Sequence, residues 1–179
     1  MKTLETKRLT IRPLRKTDLN ALFAITGDAT VMRFVGNNQP ITLEQTRQWI
    51  EVSQRNDATK GYGCMAVIER VSGHFIGYCG LVTGEDTNAP EIIYGLTPSV
   101  WGKGYATEAA RAMLAFGFTD CTLLMIEATA DPNNFASLRV LDHLGFAWAK
   151  TDGDVHGLPT AFFQLKASTW FAGPAETRA

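Results

Sequence analysis

The chain of 179 residues is short of the groups that would commit it to a metal, a disulfide framework or a bilayer. Its three cysteines, Cys64, Cys79 and Cys121, are odd in number and far apart, with no C-x-x-C pair, which argues against both a disulfide framework and a zinc site. Buried reduced thiols are expected at all three. The three histidines, His74, His143 and His156, are scattered without metal-ligand spacing and read as surface residues, so no metal is expected. No apolar run reaches the roughly 18 residues needed to cross a bilayer, and Met1 to Arg8 lack the apolar core of a signal peptide, so a cytoplasmic protein is expected. With 17 basic and 18 acidic residues there is no overall field to draw the chain to nucleic acid or an anionic membrane. Repeats, low-complexity tracts and linkers are also missing. Residues 1–179 therefore read as one domain, with a core from about residue 4 to about 166 and a tail without clear period over 167–179.

What is present is a change of hydrophobic period along the chain. Leu9 to Leu14 alternates apolar and polar side chains and stops near Pro13, as a strand would. Thr17 and Asp18 look like the cap of a helix carrying Leu19, Leu22 and Phe23 and ending at Gly27, and a second short helical stretch follows around Val31 to Val35. Thr42-Leu43-Glu44-Gln45 fits a capping box opening a helix through Trp49, Ile50 and Ser53. Trp49, Phe34 and Met32 are assigned to packing under these helices or to a wall of a site. Tyr62 to Glu69 and Phe75 to Leu81 are strand-like around a turn at Val71-Ser72-Gly73, and Glu91 to Leu96 forms a third run. A helix to about Phe118, a buried strand from Leu123 to Ala130, a helix from Phe135 to Leu144 stopped by Gly145, and strands over Phe146 to Thr151 and Thr160 to Lys166 complete the order. The pattern β-α-α-β-β-β-α-β-α-β-β describes an α/β (α+β) domain: a mixed, mostly antiparallel sheet of about seven strands with about four helices.

The chemistry concentrates where Ile92–Leu96 hands over to the helix. Gly102-Lys103-Gly104 lies at that strand-to-helix join, where glycines let the backbone approach a ligand and a helix start presents unpaired N–H groups, the recipe for a phosphate site. A Walker A loop is ruled out, because the lysine lies between the glycines and Tyr105 stands where Ser or Thr is required. A dinucleotide fingerprint would need a third glycine at Thr107; Glu127 lies near the distance of a ribose-binding acid, but a two-glycine match alone is weak. A second polar strand-to-helix turn, Asn133-Asn134-Phe135-Ala136-Ser137, falls beside the first.

Together, Trp101-Gly102-Lys103-Gly104-Tyr105-Ala106-Thr107-Glu108-Ala109, Asn134-x-x-Ser137 and Leu144-Gly145-Phe146 closely resemble the GNAT superfamily of acyl-CoA N-acyltransferases. The opening Glu5-Thr6-Lys7-Arg8-Leu9-Thr10-Ile11-Arg12-Pro13-Leu14 with Asp18 is similar to its branch of ribosomal-protein alanine and serine N-acetyltransferases. The resemblance covers about residues 4 to 166. It implies acetyl-CoA as co-substrate, with the coenzyme A pyrophosphate on the main-chain amides of Trp101, Gly102, Lys103, Gly104, Tyr105, Ala106 and Thr107 and Lys103 as an optional charge. It further implies the pantetheine arm on the backbone of Gly95, Leu96 and Thr97, with Leu96 or Gly95 polarising the thioester carbonyl. Asn134 would bond the arm and Ser137 would act as general acid, although an N-cap and an early helix residue are the plain reading of that pair. Glu91, directly or through a water, is the favoured general base, with Glu85 and Asp86 as rivals. Where family members often place an acid in the closing hairpin, Gly157 to Phe162 has none, and Trp101 stands where the family prefers Arg or Gln.

The implied activity is acetyl transfer to a primary amine by direct attack in a ternary complex. A protein N-terminus, of a ribosomal protein or another peptide, and small amines are the acceptors in view, and the loops Val35 to Pro40 and Val82 to Pro90 would choose among them. A non-catalytic acyl-CoA sensor is the alternative, and a homodimer is left open as the assembly.

Overall fold

The computed structural model describes residues 1–84 and 89–173. Its strands are β1 (Leu4–Glu5), β2 (Leu9–Pro13), β3 (Cys64–Glu69), β4 (Phe75–Thr83), β5 (Pro90–Leu96), β6 (Met125–Ala130), β7 (Ala147–Gly153) and β8 (Pro159–Lys166). The α-helices are α1 (Leu19–Thr26), α2 (Ala29–Met32), α3 (Leu43–Lys60), α4 (Tyr105–Thr119), α5 (Phe135–His143) and α6 (Ala167–Ala172). All eight strands form one sheet in the order β1-β2-β3-β4-β5-β6-β8-β7. Every neighbouring pair is antiparallel except β5 and β6.

The mixed α/β architecture is the one the sequence predicts, with two small additions. The eighth strand, β1, is two residues long and pairs Leu4 with Ile11 and Glu5 with Thr10, too short to leave a period. The other addition lies in the tail, where α6 sets Trp170 and Phe171 against Phe118, at ring-centroid distances of 5.8 and 6.4 Å.

Local chemistry explains the element ends. Thr42 Oγ1 accepts from the Gln45 N–H while Gln45 Oε1 accepts from the Thr42 N–H, so two of the donors left open at the start of α3 are satisfied reciprocally. At its other end Gly61 adopts φ 77°, a left-handed conformation that glycine reaches without a Cβ clash. Asp18 holds the N-cap position of α1 as expected, but its side chain makes no cap hydrogen bond. Its carboxylate instead accepts two hydrogen bonds from Arg12, at 2.7 and 2.8 Å, and one from the Arg15 N–H at 2.7 Å, tying β2 to the turn before α1.

The sheet is covered on both faces. Along β3, Met65 and Val67 pack on the side of Met113, Leu114 and Leu141, whereas Cys64 and Ala66 pack with Leu22, Ile25, Ile50 and Tyr78. Burial on both faces is why this strand reads as a continuous apolar run. Each fully buried Leu or Ile contributes about 1.5–3 kcal/mol relative to exposure. Cys64 and Cys79 are buried free thiols; Cys121 corrects the expectation, being only half-buried with its thiol 3.7 Å from the Gly61 carbonyl oxygen.

The parallel pair β5 and β6 shares a single rung, Glu91 with Glu127. Beyond it the strands separate, and β5 remains paired only to β4. That opening places the site.

Candidate active site

A cleft of about 1110 Å³ fills the opening, lined among others by β5, the turn before α4, the start of α5 and the β7–β8 turn. On the donor side, Gly102 and Gly104 both have left-handed backbone, φ 73° and 78°. Among the described residues, its own chain neighbours aside, nothing lies within 4 Å of where a Cβ at Gly102 would stand. Among the described residues the N–H groups from Gly102 to Thr107 meet no acceptor, and the first helical bond of the turn is Glu108 N–H to the Gly104 carbonyl at 3.1 Å. Six successive donors open in this way at the start of a 15-residue helix have the geometry and the dipole that suit an anion.

Trp101, expected to add an N–H to this set, is a correction. Its main-chain N–H donates to the Pro98 carbonyl at 3.1 Å and its indole N–H to the Leu96 carbonyl at 2.7 Å, so the residue braces the turn and closes one acceptor on β5. Lys103 likewise turns its ammonium to the Ser99 carbonyl, 2.9 Å away.

The β5 edge also sharpens the expectation. Thr97 donates its N–H to the Ile76 carbonyl at 2.9 Å, and Leu81 on β4 donates away from β5, to the Gly63 carbonyl. Antiparallel alternation therefore directs the backbone of Gly95 and Thr97 toward β4 and that of Tyr94 and Leu96 toward the cleft. Of the three residues expected to meet the pantetheine through the backbone, Leu96 alone offers an N–H, and Tyr94 replaces the other two.

Tyr94 also supplies a side chain the sequence reading missed. Its hydroxyl lies 2.8 Å from Ser137 Oγ, joining β5 to the first turn of α5. Burial pushes the Tyr94 phenol up to about 12, the hydrogen bond with Ser137 opposing the shift, so it is neutral across the working range. Asn134 is the N-cap of α5, its Oδ1 accepting the Ser137 N–H at 3.1 Å, while its Nδ2 has no partner among the described residues. Glu91 stands at the shared rung and accepts a 2.5 Å hydrogen bond from Thr129 Oγ1 on β6. Glu85 and Asp86, the rival bases, lie outside the described residues.

A further anchor comes from the start of the chain. Arg8 donates from Nε to Glu108 Oε2 at 2.6 Å and from a terminal nitrogen to the Lys103 carbonyl at 2.8 Å, and its guanidinium lies 4.2 Å from the centre of the Tyr105 ring. Burial opposes the Glu108 charge, but hydrogen bonds from Thr6 and Arg8 outweigh it and hold the carboxyl below its ordinary range. Sequence spacing could not pair residues about a hundred positions apart.

On the opposite wall, Phe34 and Trp49 line the cleft, whereas Met32 is core. His143 and His156, read as surface residues, are exposed yet border the cleft. Asp154 brings a carboxylate to the closing hairpin, three residues before the segment found to lack one. Its Oδ1 is engaged by the N–H groups of His156 and Leu158, at 2.8 and 2.9 Å, and so braces the turn. Among the described residues no group of three His, Cys, Asp or Glu is placed to hold a metal, and no helix is long and apolar enough to cross a membrane.

Comparison with known proteins gives the family and the fold. The family described as an acetyltransferase (GNAT) domain matches residues 8–147. The chain is 37% identical over 153 residues to the uncharacterized protein YkkB of Bacillus subtilis (strain 168), covering 83% of this chain and 87% of that protein. It is 32% identical over 148 residues to the uncharacterized N-acetyltransferase p20 of Bacillus licheniformis, covering 82% and 83%. Its fold is similar to that of RimL, a ribosomal alpha-N-protein acetyltransferase solved in complex with coenzyme A, with a TM-score of 0.79 at 15% identity over 92% of this chain and 98% of that one. At that identity the likeness is one of fold.

Proposed function

The chain belongs to the GNAT acetyltransferase family, and on that premise we propose that it moves an acetyl group from acetyl-CoA to a primary amine by direct attack in a ternary complex. The observation that carries the reading is the run of unpaired N–H groups from Gly102 to Thr107 beside the open edge of β5. When bound, acetyl-CoA supplies the acyl group already activated as a thioester. The N–H groups of the turn hold the pyrophosphate. Tyr94 offers its backbone groups to the amide arm as an added strand would, and Asn134 offers its Nδ2. Leu96 N–H is the donor available where charge develops on the acyl oxygen. Ser137, held by Tyr94, gives a proton to the departing sulfur, and Glu91, fixed by Thr129, takes one from the amine directly or through a water.

The fold likeness to RimL makes a protein N-terminus the first acceptor to test. Thiol release from acetyl-CoA should be followed with alanyl and seryl peptides, a ribosomal-protein N-terminal peptide, spermidine, kanamycin and phenethylamine. Acceptor-dependent release with at least one of them is expected. Tight acetyl-CoA binding with no acceptor-dependent release from any would replace the enzyme by a sensor of acyl-CoA.

A further inference from the structure

Tyr78 is a large polar side chain buried in the sheet, 1% exposed, whose hydroxyl meets no hydrogen-bond partner among the described residues. It is also a residue of the cleft wall. Among the described residues every fully enclosed polar side-chain atom has a partner, so the unpaired Tyr78 hydroxyl keeps its small exposure toward the cleft.

The route of the ring explains how a β4 side chain reaches that place. Tyr78 pairs with Gly95 across the β4–β5 ladder. A Cβ at position 95 would lie 2.5 Å from Tyr78 Cζ and 2.6 Å from its hydroxyl oxygen, so the ring occupies the space a side chain on β5 would take. Glycine at 95 thus lets the phenol lie over β5 toward its open edge. Trp49 meets the ring edge-on at 5.0 Å and holds it there. Tyr78 packs with the α1–α3 cluster, whereas Tyr94, its ladder neighbour's neighbour, packs with the α4–α5 cluster where Ser137 lies. The two phenols therefore flank the open edge of β5 from opposite faces, one engaged by Ser137 and one unengaged.

A hydroxyl on a cleft wall with no protein partner among the described residues is placed to take one from a molecule that enters the cleft. We infer that the Tyr78 hydroxyl is a substrate contact, accepting an N–H of the incoming amine and aiming its nitrogen at the acyl carbon beside Leu96. This rests on the acetyl-transfer reading. Burial pushes the Tyr78 phenol far up, so it stays protonated and orients the amine without taking its proton, which remains the task of Glu91.

Tyr78→Phe keeps the ring, its contact with Trp49 and its fit over Gly95 while deleting the hydroxyl. With an amine that the wild type acetylates in the panel above, kcat/KM for the amine should fall at least tenfold, chiefly through KM. The acetyl-CoA Kd measured by calorimetry should be unchanged, and the Tm should be equal or higher, since no protein bond is lost. Unchanged amine kinetics in the folded variant overturn the inference and leave the acetyl-transfer reading intact. A lowered Tm overturns it too, because the hydroxyl would then have a structural partner. A wild type that acetylates none of the amines removes the reading itself and this contact with it. As a second variant, Gly95→Ala should displace the Tyr78 ring and reproduce the rise in amine KM; a variant folded to the wild-type Tm with normal amine KM would count against the contact.

Discussion

The hydroxyls of Tyr94 and Ser137 face each other at 2.8 Å across the gap between β5 and α5. A serine hydroxyl alone rotates freely and is a weak acid. Pairing it with a buried neutral phenol fixes its orientation and gives it a source from which to recover a proton. Ser137→Ala should lower kcat roughly tenfold to a hundredfold, within the range of a general acid, with near-normal acetyl-CoA affinity. Tyr94→Phe should cost less. The double variant should fall no further than Ser137→Ala, because the two residues act as a unit. Additive losses in kcat would show that they act separately.

At Gly104 the backbone conformation, φ 78°, decides the outcome more than space does, since the nearest atom to an added Cβ is an Arg8 nitrogen at 3.5 Å. A β-branched residue is strained in that region by more than the about 1–2 kcal/mol an ordinary residue pays. Gly104→Val should therefore re-form the turn and scatter the aligned N–H groups. The expected loss in acetyl-CoA affinity is at least a hundredfold, read by calorimetry, against a Tm lowered by only a few degrees. Unchanged affinity in a folded variant would remove the phosphate assignment.

Arg8 holds the same turn from outside through Glu108, Tyr105 and the Lys103 carbonyl. Arg8→Ala should weaken acetyl-CoA binding roughly tenfold while leaving the amine KM alone, since one charge-assisted contact to a positioning loop is worth about 1.5 kcal/mol. A variant with normal acetyl-CoA Kd would make Arg8 a structural residue only.

The Arg12–Asp18 pair gives a pH dependence with a definite sign. Burial alone would raise the Asp18 carboxyl, but hydrogen bonds from Arg12 and the Arg15 N–H outweigh it and hold the group below its ordinary range. A carboxyl depressed in the folded state contributes stability that is fully present above its unfolded value, about 3.9, and is lost as pH falls through the lower folded value. Asp18→Asn should cost about 2–3 kcal/mol at pH 7, somewhat below the usual cost of breaking a fully buried pair. Urea denaturation should show the gap between wild type and variant narrowing below about pH 4. A gap independent of pH would mean that packing, rather than the ion pair, is lost.

The open helix start of the candidate site is legible because it is written in contiguous residues. Gly102, Gly104 and the apolar spacing of α4 specify a helix start whose N–H groups are open, whatever surrounds it. The acceptor half depends on contacts between distant strands and helices. Tyr94 looked like one more apolar residue of Ile92 to Leu96, and only the register of β4 and β5 reveals that its backbone faces the cleft while its phenol meets α5. Tyr78 was hidden within a continuous buried run in the same way. The capping box at Thr42 was readable because its two hydrogen bonds span three residues. Asp18 is readable as the N-cap of α1, whereas the capture of its carboxylate by Arg12, across six residues and a change of direction, is not.

The single rung between Glu91 and Glu127 makes the eight strands behave as two sheets sharing one crosspiece. Amide hydrogen exchange should then alternate along β5. Gly95, facing β4, should exchange slowly while Leu96, facing the cleft, exchanges quickly, so that the resting protein carries along one strand a readable imprint of the chain-like ligand proposed to pair with it.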